Sequence, residues 1–90
     1  MLLNSKYIYK SINGHIIVPI ELQIEYWICK VYYIYEDKIF DQGLYGYTLD
    51  GKCLEDNGSR NANARVYLNR LPKNLQKMIK TYKKKGRNYE

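Results

Sequence analysis

The residues of this 90-residue chain that could do chemistry are one histidine, two cysteines and a few acids. General acid–base work needs a tuned group within hydrogen-bond reach of a partner. His15 stands beside the apolar run Ile16-Ile17-Val18 with no cysteine or acid near it in sequence, so it reads as a strand or turn histidine. The acids pair at Glu36-Asp37 and Glu55-Asp56, with Asp41 and Asp50 nearby. A metal-dependent nuclease needs several carboxylates converging on Mg²⁺. These pairs fall instead in turn-forming stretches, where acids are common for local reasons. The run Asp50-Gly51-Lys52-Cys53-Leu54-Glu55 places Lys and Leu where a calcium loop needs oxygen ligands. Cys29 and Cys53 with a single histidine cannot complete a four-ligand zinc site. The glycines are scattered among turns and form no phosphate loop. The expectation is a protein that is not an enzyme, with no catalytic residue, metal ligand or cofactor.

Residue types suited to binding are more plentiful. Three Tyr-x-Tyr units occur, at Tyr7-Tyr9, Tyr33-Tyr35 and Tyr45-Tyr47. In a strand, residues two apart point the same way, so each unit presents two rings on one face. An open face of this kind would stack unpaired bases or supply a protein contact. A closed one would make cross-strand pairs and cover the core under a helix. Trp27 has the same three readings. Arg60, Arg65 and Arg70 precede a lysine series, Lys73, Lys77, Lys80 and Lys84, and Arg87 follows it. Such a surface attracts phosphate backbones, or it is a solvated helix face. The candidate binding residues are these arginines and lysines, with Tyr33, Tyr35, Tyr45 and Tyr47.

The elements that must position them follow from periodicity and turn chemistry. Leu71, Leu75, Met78, Ile79 and Tyr82 share one stripe at a 3.6-residue period, and the lysines recur on the other side. With Pro72 near the start and Gly86 just past the end, the pattern predicts a helix over roughly 72–85. Residues 6–10 read as a short strand, Asn13-Gly14 as a turn, and His15 to Val18 as the returning strand. The segment from Ile20 to Tyr35 fits a strand by alternation and a helix by spacing. The β-branched and aromatic run Val31-Tyr32-Tyr33-Ile34-Tyr35 favours a strand, with a bulge or bend near Lys30. Glu36-Asp37-Lys38 makes a turn, Ile39-Phe40 a short return toward Gly43, and Tyr45 to Leu49 the next strand. After Asp50-Gly51, Lys52 to Leu54 pairs back. Asp56 to Asn63 is a polar loop, and Ala64 to Leu68 is a last strand. The sum is an α+β fold: a small antiparallel sheet of four to six short strands with one C-terminal amphipathic helix packed on a face.

Length allows one domain, residues 1–90. Its charge is divided. Residues 1–59 hold five lysines against eight acids, a net −3, and residues 60–90 hold ten Lys and Arg against Glu90 alone, a net +9. The +6 chain is therefore a mildly acidic β-rich body carrying a basic loop, strand and helix. Two cysteines are too few for a disulfide scaffold, and free buried thiols fit a reducing compartment. The most apolar run, Tyr26 to Tyr35, is too short to span a membrane and contains Lys30. The N-terminus has no apolar stretch of signal-peptide length. These features place the chain in the cytoplasm, off the membrane. Abundant Ile, Lys, Asn and Tyr, all encoded by A/T-rich codons, point to an A/T-rich bacterial or phage genome.

The reading of function that follows is a small binding protein contacting nucleic acid or a nucleoprotein through its basic helix and loop. The alternative is a mobile-element inhibitor of a host defence nuclease, of the anti-CRISPR kind, acting by protein–protein contact with a nucleic-acid-processing enzyme. A homodimer paired through exposed strand edges is a further possibility.

Overall fold

The structure is a computed structural model that describes residues 1–87, with side chains through Lys84. In chain order it runs β1 (Ile8–Lys10), β2 (His15–Leu22), β3 (Tyr26–Tyr35), β4 (Lys38–Thr48) and β5 (Ala64–Val66). A 3₁₀ turn, Leu68–Arg70, then leads into helix α1, Lys73–Arg87. All pairings are antiparallel, and the sheet order is β4-β3-β2-β1-β5. This is the α+β architecture the sequence predicts.

The stretch read as one strand from Ile20 to Tyr35 is instead the heart of a hairpin. The chain turns at Gln23-Ile24-Glu25, where the Gln23 N–H donates to the Tyr26 carbonyl at 2.8 Å. No Gly, Asn or Pro marks that turn. Lys30, expected near a bend, pairs regularly with Val18 and Leu44. The bulge falls beyond Pro19, which has no N–H to give the ladder. Ile39-Phe40 and Tyr45 to Thr48 also belong to one strand, the 11-residue β4. Its continuity depends on a bulge at Gln42-Gly43. Gly43 takes φ +88°, and its N–H donates to Asp41 Oδ1 at 2.9 Å. Lys52 to Leu54 pairs back on β4 as expected, through the bridge of Cys53 to Tyr47 and the main-chain bonds Thr48 N–H to Lys52 O and Leu54 N–H to Gly46 O, though it forms no regular strand. The last strand stops at Val66. The helix continues through Gly86 to Arg87 instead of ending at Lys85. An interior glycine costs a helix only about 1 kcal/mol, so its presence does not compel a stop.

Both faces of the sheet are covered, by different means. On one face Ile8, Ile16, Val18 and Tyr32 pack against Leu71, Leu75 and Ile79. On the other, Tyr9, Ile17, Trp27, Cys29, Val31 and Tyr47 lie beneath Leu3, Cys53 and Ala62. That second cover is irregular chain, residues 49–63 with the N-terminal segment. It is fastened by Leu3 N–H to Leu49 O (2.9 Å), Ala62 N–H to Gly51 O (2.8 Å) and Cys53 N–H to Asn61 Oδ1 (2.9 Å). Tyr9 and Tyr47 are thus core residues of this face; the sequence reading of buried tyrosines placed them under the helix. Cys29 and Cys53 are free and buried. Burial, with Cys53 nearby, pushes the Cys29 thiol up to about 12.

Candidate nucleic-acid interface

Helix α1 sorts its side chains by periodicity. Leu75 and Ile79 are buried against the sheet, together with Leu71 just before the helix. The Gln76 side chain donates to the Leu71 carbonyl at 2.8 Å, fastening the first turn. Lys73, Lys77, Lys80 and Lys84 are all exposed and lie on the opposite side, a row about 16 Å long at 1.5 Å rise per residue. No acid occurs between Lys73 and Arg87. Among the described residues, neither ion pair involves Lys73, Lys77, Lys80 or Lys84. Lys83 sits off the row, and its Nζ donates to the Ser5 carbonyl at 3.0 Å.

The far end of the helix is held by a cation of the sheet. Lys30 lies 2.7 Å from Asp41 and 4.9 Å from the centre of the Tyr82 ring. Burial pushes the Asp41 carboxyl up, but the Lys30 ammonium and the Gly43 N–H more than offset it and hold that group below its ordinary value.

The four predicted arginines part company. Arg60 is bound within the fold: Nη1 is 2.8 Å from Asp56, Nε is 3.1 Å from Gln42, and the guanidinium stacks 4.9 Å from the Tyr45 ring centre. Its carbonyl also accepts the Tyr47 hydroxyl at 2.6 Å. Arg65, paired with Tyr9, lies on the face opposite the helix, 4.5 Å from the Tyr7 ring centre. Arg70 is exposed in the 3₁₀ turn that feeds the helix. The Arg87 side chain lies outside the described residues. The row therefore stands with Arg70 and without the loop arginine.

The predicted tyrosines divide as well. Tyr47 is fully buried and Tyr45 is capped by Arg60, so neither is a free contact residue. Tyr33 and Tyr35 form an aromatic shelf on the face opposite the helix, with rings nearly parallel and centroids 6.3 Å apart. Two members of the shelf are absent from the sequence reading. Phe40 pairs across from Tyr33 and is exposed, and the His15 ring lies 4.8 Å from Tyr33. The signal for Phe40 was present: a two-residue turn at Glu36-Asp37 sets Tyr35 against Lys38 and hence Tyr33 against Phe40. His15 is fixed by its neighbour, since its N–H donates to Ser11 Oγ and its Nδ1 lies 3.0 Å from the same oxygen. Burial lowers its pKa, and the Arg60 charge adds to that.

Comparison with protein-family models, with curated proteins and with solved structures finds no match, so the site's own geometry is the basis for assigning function. Among the described residues, no group of three or more His, Cys, Asp or Glu is placed to hold a metal ion. No helix among them is long and apolar enough to cross a membrane. The two faces thus carry different exposed features: a lysine row on the helix and an aromatic shelf on the sheet.

Proposed function

We propose that this is a non-enzymatic binding protein whose helix α1 grips the phosphate backbone of nucleic acid. The observation that carries the reading is the exposed row Lys73, Lys77, Lys80 and Lys84 on a helix that contains no acid. Each such cation displaces condensed counterions from a phosphate strand, and backbone contacts carry no sequence information. Four contacts give a slope of about −3.6 in log affinity against log salt, so binding weakens roughly 100-fold between about 50 and 200 mM salt. A gel-shift titration at those two concentrations tests this, with unrelated sequences shifting alike. Replacing Lys77, Lys80 and Lys84 by Glu abolishes the shift without altering the circular dichroism, because none of the three packs against the sheet. Absence of any shift at micromolar protein and low salt overturns the reading.

A second reading draws on the shelf of Tyr33, Tyr35 and Phe40. Aromatic contact area with little rotamer loss suits a protein partner, and the chain would then block a nucleic-acid-processing enzyme, as an anti-CRISPR inhibitor does. Co-purification with such an enzyme, lost on Tyr35→Ala and kept in the triple-Glu variant, separates this from backbone binding.

A further inference from the structure

Strand β4 is the outermost strand of the sheet, and its two halves are treated differently. The C-terminal half is covered by the chain itself. Thr48 N–H donates to Lys52 O at 2.8 Å, Leu54 N–H donates to Gly46 O at 2.9 Å, and Tyr47 bridges Cys53. The N-terminal half, Lys38 to Asp41, pairs with β3 on one side. Among the described residues it makes no main-chain hydrogen bond on the other side. The opposite sheet edge, β5, is only three residues long. An open edge bearing apolar side chains is a template for another strand. Around this one, Phe40 is 46% and Tyr35 55% exposed on the shelf face, and Leu44 is 50% exposed on the helix face.

We propose that two copies of this chain pair edge to edge through the open half of β4, about a two-fold axis at Phe40, joining their sheets into one of ten strands. The occupant is a second copy because the charges select one self-complementary register. An antiparallel continuation that keeps each face in line must centre on a residue. Centring on Lys38 sets Lys38 against itself, and centring on Ile39 sets Asp37 against Asp41. Centring on Asp41 sets that acid against itself. Like charges directly opposite destabilise a ladder. Centring on Phe40 alone avoids every such clash: Lys38 faces Gln42, Ile39 faces Asp41, and the two Phe40 rings meet.

The axis stands perpendicular to the sheet, so both α1 helices lie on the same side of the dimer. The two lysine rows then form one surface of eight cations, a consequence that rests on the nucleic-acid reading, whereas the pairing itself does not. Interfaces this small are weak.

The test is sedimentation equilibrium of the native chain without nucleic acid, from about 10 to about 500 μM, a range suited to a small interface. The mass rises from 10.8 kDa toward twice that value. Phe40→Cys supplies the register test. Its thiol meets its two-fold mate, and mild oxidation with diamide links the copies, while Ile12→Cys, on the exposed tip of the β1–β2 hairpin, does not link. Phe40→Lys keeps the chain monomeric. A native chain that stays monomeric over the whole range overturns the proposal, as does equal cross-linking at positions 12 and 40. A monomer that still shifts nucleic acid sinks this proposal alone, and a dimer that shifts none sinks only the backbone reading.

Discussion

Arg60 and Lys77 carry the same charge in the same basic third of the sequence, yet they do opposite work. Arg60 is ringed by Asp56, Gln42 and Tyr45 and ties the irregular layer to β4, while Lys77 stands exposed on the helix. The ring around Arg60 also sets a pH dependence. Burial raises the Asp56 carboxyl, but hydrogen bonds from Arg60, Gly58 and Ser59 bring it below its ordinary value. Asp41 is held low through Lys30. For carboxyls depressed in the fold, the unfolded chain binds more protons, so their stabilisation is full above the ordinary carboxyl pKa and is lost as pH falls through the folded value. His15, also depressed, acts in the same direction at higher pH: its share is full above about 6.5 and is lost as the solution is acidified. Urea midpoints measured from pH 7 to pH 3 therefore fall in two limbs. His15→Gln flattens the upper limb and Lys30→Gln the lower one.

Elements differ in how plainly their sequences announce them. Leu75→Ala opens a cavity where α1 meets the sheet and costs about 2–5 kcal/mol in chemical denaturation, while Lys77→Ala changes stability by no more than about 0.5 kcal/mol. Gly43→Ala is a subtler case. A Cβ there meets nothing within 4 Å, so its cost of about 1–2 kcal/mol comes from the left-handed backbone alone. The helix was legible because Leu71, Leu75, Ile79 and the lysines keep one period for three turns. The β2–β3 turn was not, because Gln23-Ile24-Glu25 carries no turn former and closes through main-chain bonds made only once the strands have paired. The unity of β4 was hidden for the converse reason. Gly43 and Gly46 read as punctuation, yet one absorbs a bulge and the other stays in the ladder opposite Ile28. The shelf was half legible, since Tyr-x-Tyr spacing fixed a shared face but not which rings the irregular layer would cover.

At the scale of the whole molecule the protein is a thin plate, 34 × 32 × 20 Å, with its lysine row on one side and its open aromatic rings on the other. The charge division between residues 1–59 and 60–90 foretold the helix as the basic surface. It could not foretell that Arg60 and Arg65 would fold away from it, because sequence position says nothing of which face a residue meets. The plate has two unlike coverings, and Trp27, the only tryptophan, lies beneath just one of them. The irregular covering is held largely by isolated hydrogen bonds and loop contacts, the kind of region that opens at lower free energy than packed helix and strand. Tryptophan emission and helical circular dichroism therefore watch separate layers of one molecule. In a urea titration the emission shifts first and the helical signal follows, whereas coincident curves would mean that the two coverings melt as a single unit.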